Sequence, residues 1–258
     1  MGKTNKLRQC GIGGKVSRVL MNRGYGIFPR ILISLVAVIL PAVLLFKGIY
    51  GSFIFTFSIP LIWKVGIRGE RFDSLGLRLN SIKHSITIGM ISGFVLGIAG
   101  GSGLEILGLT GLLFTSADKL QFSFSSLTIA FPLQQEVGYR LLSMSNALVG
   151  TCVFFVFCII AVGLGEEIFW RGFIQKRISG FFPANIAIWI TAIIFSVIHF
   201  YIFTIIPLKT GIAFLMLIAL AGGVWGYLFK HFGNIWSAAI SHGIAAFIIW
   251  KYYFFATN

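Results

Sequence analysis

The sequence predicts an all-α bundle of membrane-spanning helices, about seven to eight spans, on three observations. Of its 258 residues 57% are hydrophobic and only 11% charged, and the mean hydropathy is +0.92, far more apolar than a water-soluble domain of this length needs. The apolar residues come in blocks long enough to cross a hydrocarbon core of ~30 Å, which takes roughly 20 helical residues. They lack the alternation of barrel strands, and a chain in lipid must satisfy its own backbone polar groups, so helices are the remaining choice.

The third observation is where the charge sits. The net charge is +14, but the basic residues lie beside the apolar blocks and form no separate basic domain, so no nucleic-acid partner is expected. Lys3, Lys6, Arg8, Lys15, Arg18, Arg23 and Arg30 make residues 1–30 a basic N-terminal segment. The positive-inside rule places that segment in the cytoplasm, against anionic headgroups, in a multi-pass protein of the cell membrane. No small-residue cleavage site follows the first apolar stretch, so it reads as a retained span. Cys10, Cys152 and Cys158 are odd in number and imply neither a disulfide framework nor a CxxC metal site.

In chain order, residues 31–46 form the first block, short and holding Pro41, so neighbours must satisfy the carbonyl that proline frees. Residues 48–63 form the second, and Lys64, Arg68, Arg71, Arg78 and Lys83 follow, where a hairpin that starts inside should return. The third block, 85–104, sets Gly89, Gly93, Gly97 and Gly101 four residues apart. That spacing gives one smooth helical face for another helix to approach. Residues 105–120 read as an outside loop, and 122–133 are apolar but too short for a confident span, hence re-entrant or interfacial. Further blocks cover 146–164, 185–206, 211–229 and 234–255. The organisation is therefore a basic segment 1–30, N-terminal helices and loops over 31–145, and a helical region 146–258 in which the chemistry is expected.

Of the chain's 7 acidic residues, Glu166 and Glu167 stand out because they continue an apolar helix. A charge deep in a span costs ~2.5–3.5 kcal/mol even on a lenient insertion scale. Arg171 is four residues after Glu167, on the same face and in the favourable order for an ion pair. Glu166 is rotated by about 100° from Glu167 and is open to another partner. His199 and His242 lie in later apolar blocks, whereas His84 and His231 sit beside basic residues at span ends. Two histidines and an unpaired glutamate make a polar cluster that hydrocarbon would otherwise exclude. A buried ion-pair cluster serving helix packing alone is the competing reading of the acid–arginine trio.

These residues match a family pattern. Glu166-Glu167-Ile168-Phe169-Trp170-Arg171 reads as EExxxR, Phe195-Ser196-Val197-Ile198-His199 as FxxxH, and His242 opens the third motif, HxxxN. In order and spacing the chain resembles the CAAX-protease and bacteriocin-processing membrane family, also called the Rce1-like or abortive-infection family of intramembrane endopeptidases. The resemblance covers residue 146 to the C-terminus. It departs at Ala246, where the family usually has the Asn of HxxxN. A second stretch, Gln135 to Arg140, repeats the EExxxR spacing with Gln first, but no histidine-bearing helix accompanies it.

The resemblance implies hydrolysis of a peptide bond in a hydrophobic or membrane-anchored peptide: a prenylated CaaX tail, a bacteriocin precursor or a sorting tail. In that reading Glu166 takes a proton from water, His199 positions the water, and His242 stabilises the oxyanion. Glu167 and Arg171 hold the helix and tune the field. No cofactor is preferred, because a zinc ion held by Glu166, His199 and His242 would occupy the one available base. If the family Asn holds the oxyanion, its replacement costs ~100-fold or more in rate. A catalytically inactive scaffold of the same family is therefore one alternative, and a proton-coupled transporter built on the same cluster is another.

Overall fold

A computed structural model describes residues 36, 38–40, 58–107, 121–124, 127–130, 148–200, 203 and 207–254. The basic segment 1–30, most of the first block, and the stretch from Gln135 to Arg140 lie outside the described residues. Among those described, the helices in chain order are α1 (Ser58–Ile67), α2 (Ile82–Ile106), α3 (Val149–Ile178), α4 (Ala184–Val197), α5 (Leu208–Phe232) and α6 (Trp236–Ile249). A wide turn, Trp250–Phe254, continues α6. By length and composition α2, α3 and α5 can cross a membrane, while α1 and α4 are shorter apolar helices. The chain is an integral membrane helix bundle.

Residues 121–124 and 127–130 lie in and beside the segment expected to be re-entrant or interfacial. They form a two-stranded antiparallel ribbon, β1 (Gln121–Phe124) and β2 (Leu127–Ala130), with Gln121 opposite Ala130 and Phe124 opposite Leu127. The reason is legible afterwards: Phe122, Phe124, Leu127 and Ile129 alternate with Ser123 and Thr128, the period of a strand rather than a helix.

On α2, and on part of α5, small side chains face inward and large ones outward. On α2 the glycines at 89, 93, 97 and 101 are buried, whereas Met90, Ile91, Phe94, Val95 and Ile98 are exposed. On α5 Gly222, Gly223 and Gly226 sit against α4, while Ile212, Met216, Leu220 and Val224 make an outward row spaced by four. Lipid is as apolar as leucine, so helices associate where small residues let backbones approach.

The glycine stripe of α2 meets α6. A Cβ on Gly89 would come 2.8 Å from the Ser237 carbonyl oxygen, and one on Gly93 would come 2.9 Å from that of Ser241. The other side of α6 meets α3: a side chain on Gly163 would strike the Ala239 carbonyl, and one on Gly243 would come 2.7 Å from the Ile159 Cα. Helix α6, which carries His242, is thus held by backbone contact on both sides. Its buried residues are correspondingly small, among them Ser237, Ala238, Ala239, Ser241, Ala245 and Ala246.

Helix α3 changes character along its length. Val149, Val153, Val156 and Ile160 are exposed, but every residue from Glu167 to Gln175 is buried. A helix buried on all faces is central to its bundle. Leu75, Phe169, Trp170, Phe173, Phe195, Trp225 and Phe229 form the core around this stretch. At one end of the bundle the α1–α2 connection is tied to the α5–α6 turn. The Ile235 amide donates to the Gly76 carbonyl at 3.1 Å, and Trp236 Nε1 donates to that of Arg78 at 2.7 Å. Asn234 Nδ2 donates to the Asn80 carbonyl at 2.9 Å and to Ser85 Oγ at 3.0 Å.

Candidate active site in the helix bundle

Glu166 and Glu167 sit between two π-helical stretches of α3, Cys158–Gly165 and Ile168–Gln175. Such wide turns re-aim side chains relative to a regular helix and recur at functional sites. Glu167 is fully buried, and its Oε1 accepts from Arg171 Nη1 at 2.8 Å, the i, i+4 pair expected from the spacing. The second arm of the guanidinium, Nη2, donates to the Gly222 carbonyl on α5 at 2.7 Å. The Arg171 Cζ lies 5.5 Å from the Phe195 ring centroid and 5.6 Å from that of Trp225, so aromatic faces contribute to stabilising this buried cation.

The same Glu167 oxygen lies 2.9 Å from His242 Nδ1. From spacing, Glu167 was expected to be occupied by Arg171 and the histidines to gather around Glu166. In the structure His242 Nδ1 donates directly to Glu167 Oε1 instead, because α6 packs close enough to α3 to bring residue 242 beside it. Glu166 is partly exposed and lies within electrostatic range of His242, Glu167 and Arg171. The His242 ring stacks on Trp225, centroids 3.8 Å apart and planes 19° apart, and Trp225 Nε1 donates to Ser241 Oγ at 3.1 Å. Trp225 is a site residue that the motifs do not contain. It was not legible because only packing of α5 on α6 brings it to His242.

His199 lies just beyond the end of α4 rather than deep inside a span. Its backbone amide donates to the Ser196 carbonyl at 3.0 Å, while its ring Nδ1 takes the Phe195 carbonyl at 2.9 Å. The side chain thus occupies the acceptor that the next turn of α-helix would have used, and the helix stops. A carbonyl only accepts, so Nδ1 carries the proton and Nε2 carries the lone pair. The Phe195 ring joins the two histidines edge-on, with its centroid 5.2 Å from His199 and 5.8 Å from His242. His199 is within electrostatic range of His242.

Ala246 lies one turn beyond His242 and is buried; its methyl donates nothing. Asn234, the nearest asparagine in sequence, is committed to Asn80 and Ser85. Among the described residues no three His, Cys, Asp or Glu side chains converge closely enough to hold a metal ion.

Residues 148–248 match a family model described as type II CAAX prenyl endopeptidase Rce1-like. This segment of the chain is similar to the Rce1-like family. No curated protein and no solved structure matches the chain. The Rce1-like segment runs from α3 to α6 and contains all of the motif residues, from Glu166 to His242. Its match supports an endopeptidase of the CAAX type working in the membrane.

Proposed function

We propose that the chain is an intramembrane endopeptidase that hydrolyses a peptide bond in a hydrophobic or membrane-anchored peptide, with Glu166 as the base that activates water. The observation that carries this reading is the hydrogen-bonded Glu167–Arg171–His242 network inside an apolar bundle, with Glu166 beside it. Polar groups of this kind are costly in a membrane and are retained where they act. Glu166 takes the proton from water. His199, with its Nε2 lone pair, accepts a hydrogen bond from the same water and aims it. His242, oriented by Glu167 and Trp225, faces the carbonyl oxygen and, as the imidazolium, donates its Nε2–H to the charge that develops there. Glu167 and Arg171 act by positioning.

The reaction is assigned no covalent nucleophile and no resident metal. The substrate classes that fit are a prenylated CaaX tail, a bacteriocin precursor and a membrane-anchored sorting tail, reached by a protein whose N-terminus is cytoplasmic. The Glu167–His242 hydrogen bond favours a second version of the same reaction, in which His242 is the base and Glu167 its orienter.

Proteomics of protein termini in cells carrying wild type, Glu166→Gln, His199→Ala or His242→Gln tests both versions. Under the first, a set of termini present with wild type disappears with every variant while each protein still inserts. Residual cleavage with Glu166→Gln and none with His242→Gln would move the base to His242. If all four strains gave the same termini, the chain would be a silent relative. Because an oxyanion donor is worth ~100-fold in rate, Ala246→Asn should raise cleavage at least about tenfold if the methyl is what limits it.

A further inference from the structure

The end of the bundle where α1 and α3 finish and α2 and α6 begin gathers positive charge. Lys64 Nζ of α1 and Lys176 Nζ of α3 both donate to one acceptor, the Ser74 carbonyl, at 3.1 and 3.0 Å. Arg68 and Arg177 lie within electrostatic range of Lys64, and Arg78 within range of Lys176. Against these five cations stands Glu70, 3.3 Å from Lys64 and 3.3 Å from Arg68. Asp73 is 3.7 Å from Arg71. Of the other acids, Glu105 is in the last turn of α2, at its opposite end, and Glu166 and Glu167 are inside the bundle. Asp118 and Glu136 lie outside the described residues.

Two ammonium groups sharing one carbonyl repel each other, and an anion between them would relieve that repulsion. A second observation points to the same place. Among the described residues Ser74 Oγ is buried without a hydrogen-bond partner, and it belongs to the residue whose carbonyl both lysines contact. The lysines are also pre-positioned: the Lys64 side chain is only 14% exposed, and Lys176 Nζ lies 5.3 Å from the Phe229 ring centroid.

We propose that Lys64, Lys176 and the Ser74 hydroxyl form a binding site for the phosphate of an anionic phospholipid headgroup. Two ammonium groups and one hydroxyl supply the donors that phosphate oxygens take. The lipid source follows from the surroundings. Ile67, Phe72 and Leu79 are exposed large apolar residues in and beside the same connection, and such side chains enter the interface and hold the cations at headgroup level. The site is independent of the proteolytic reading, since none of its residues belongs to the Glu166 and His242 cluster.

The test uses the full chain reconstituted in nanodiscs of phosphatidylcholine containing graded phosphatidylglycerol, with retained lipid counted by native mass spectrometry. Lys64→Gln with Lys176→Gln should weaken retention of a tightly held phosphatidylglycerol by roughly 30-fold, about fivefold for each lysine. Ser74→Ala, which changes no charge and fills no space, should weaken it about fivefold. That variant keeps the result readable if the double lysine variant fails to fold. Arg71→Gln and Lys83→Gln, which remove charge from the same end but outside the cluster, should retain the lipid. Equal retention by wild type and Ser74→Ala, or equal loss in the Arg71 and Lys83 variants, would overturn a specific site. If millimolar inorganic phosphate displaced the lipid from wild type, the site would belong to free phosphate and the lipid assignment would fall.

Discussion

Glu167 Oε1 receives hydrogen bonds from two partners, Arg171 and His242, whereas its Oε2 is buried without one. Replacing the carboxylate would leave the Arg171 guanidinium buried without its counter-charge, and breaking such a pair costs ~3–5 kcal/mol. Glu167→Gln should therefore lower the thermal midpoint of the purified protein by many degrees, while Glu166→Gln, at a partly exposed position, should leave it nearly unchanged. Thermal unfolding of the two variants in one detergent checks this, and equal midpoints would deny Glu167 its positioning role. Half of this arrangement is local. The i, i+4 spacing made the Glu167–Arg171 pair legible in the sequence, whereas the bonds to His242 and to the Gly222 carbonyl reach residues 75 and 51 positions away. No local pattern encodes those distances, which is why Trp225 also went unread.

Helices α2, α6 and α3 pack at backbone distance, and glycines make that approach possible. The stripe on α2 was legible because four glycines at a spacing of four mark a face whatever they pack against. That the face belongs to α6, and so stands behind His242, was decided by folding. Gly93→Leu should drive α2 away from Ser241 and Ile244, which a Cβ at position 93 would already crowd at 2.9 and 2.8 Å. Overpacking of this kind costs ~1–3 kcal/mol or more, and cleavage should fall well below the loss of folded protein because His242 moves with its helix. Gly69→Leu is not an equivalent control, since Gly69 has φ +60 and would be strained for a different reason. Leu220→Ala on the lipid-facing row of α5 serves instead, with activity expected within about twofold of wild type. The end of α4 shows the converse limit: the apolar block runs on past His199, yet the helix stops because the imidazole takes the Phe195 carbonyl.

For the molecule as a whole, the α1–α2 connection, the end of α3 and the turn before α6 share one end of the bundle, and that end gathers Lys64, Arg68, Arg78, Lys176 and Arg177. The positive-inside rule predicts that this end faces the cytoplasm. A cysteine placed by Arg71→Cys, at an exposed side chain, should react with a membrane-impermeant maleimide only after the cells are opened. Labelling of intact cells would invert the topology. Hydropathy and charge position, which add up residue by residue, determined that this chain is a helical membrane protein and singled out residues 166–171, 199 and 242 as its candidate site. Only the tertiary structure decided which carboxylate bonds His242, which aromatic ring backs it, and which two lysines meet at Ser74, because each depends on helices brought side by side from distant parts of the chain.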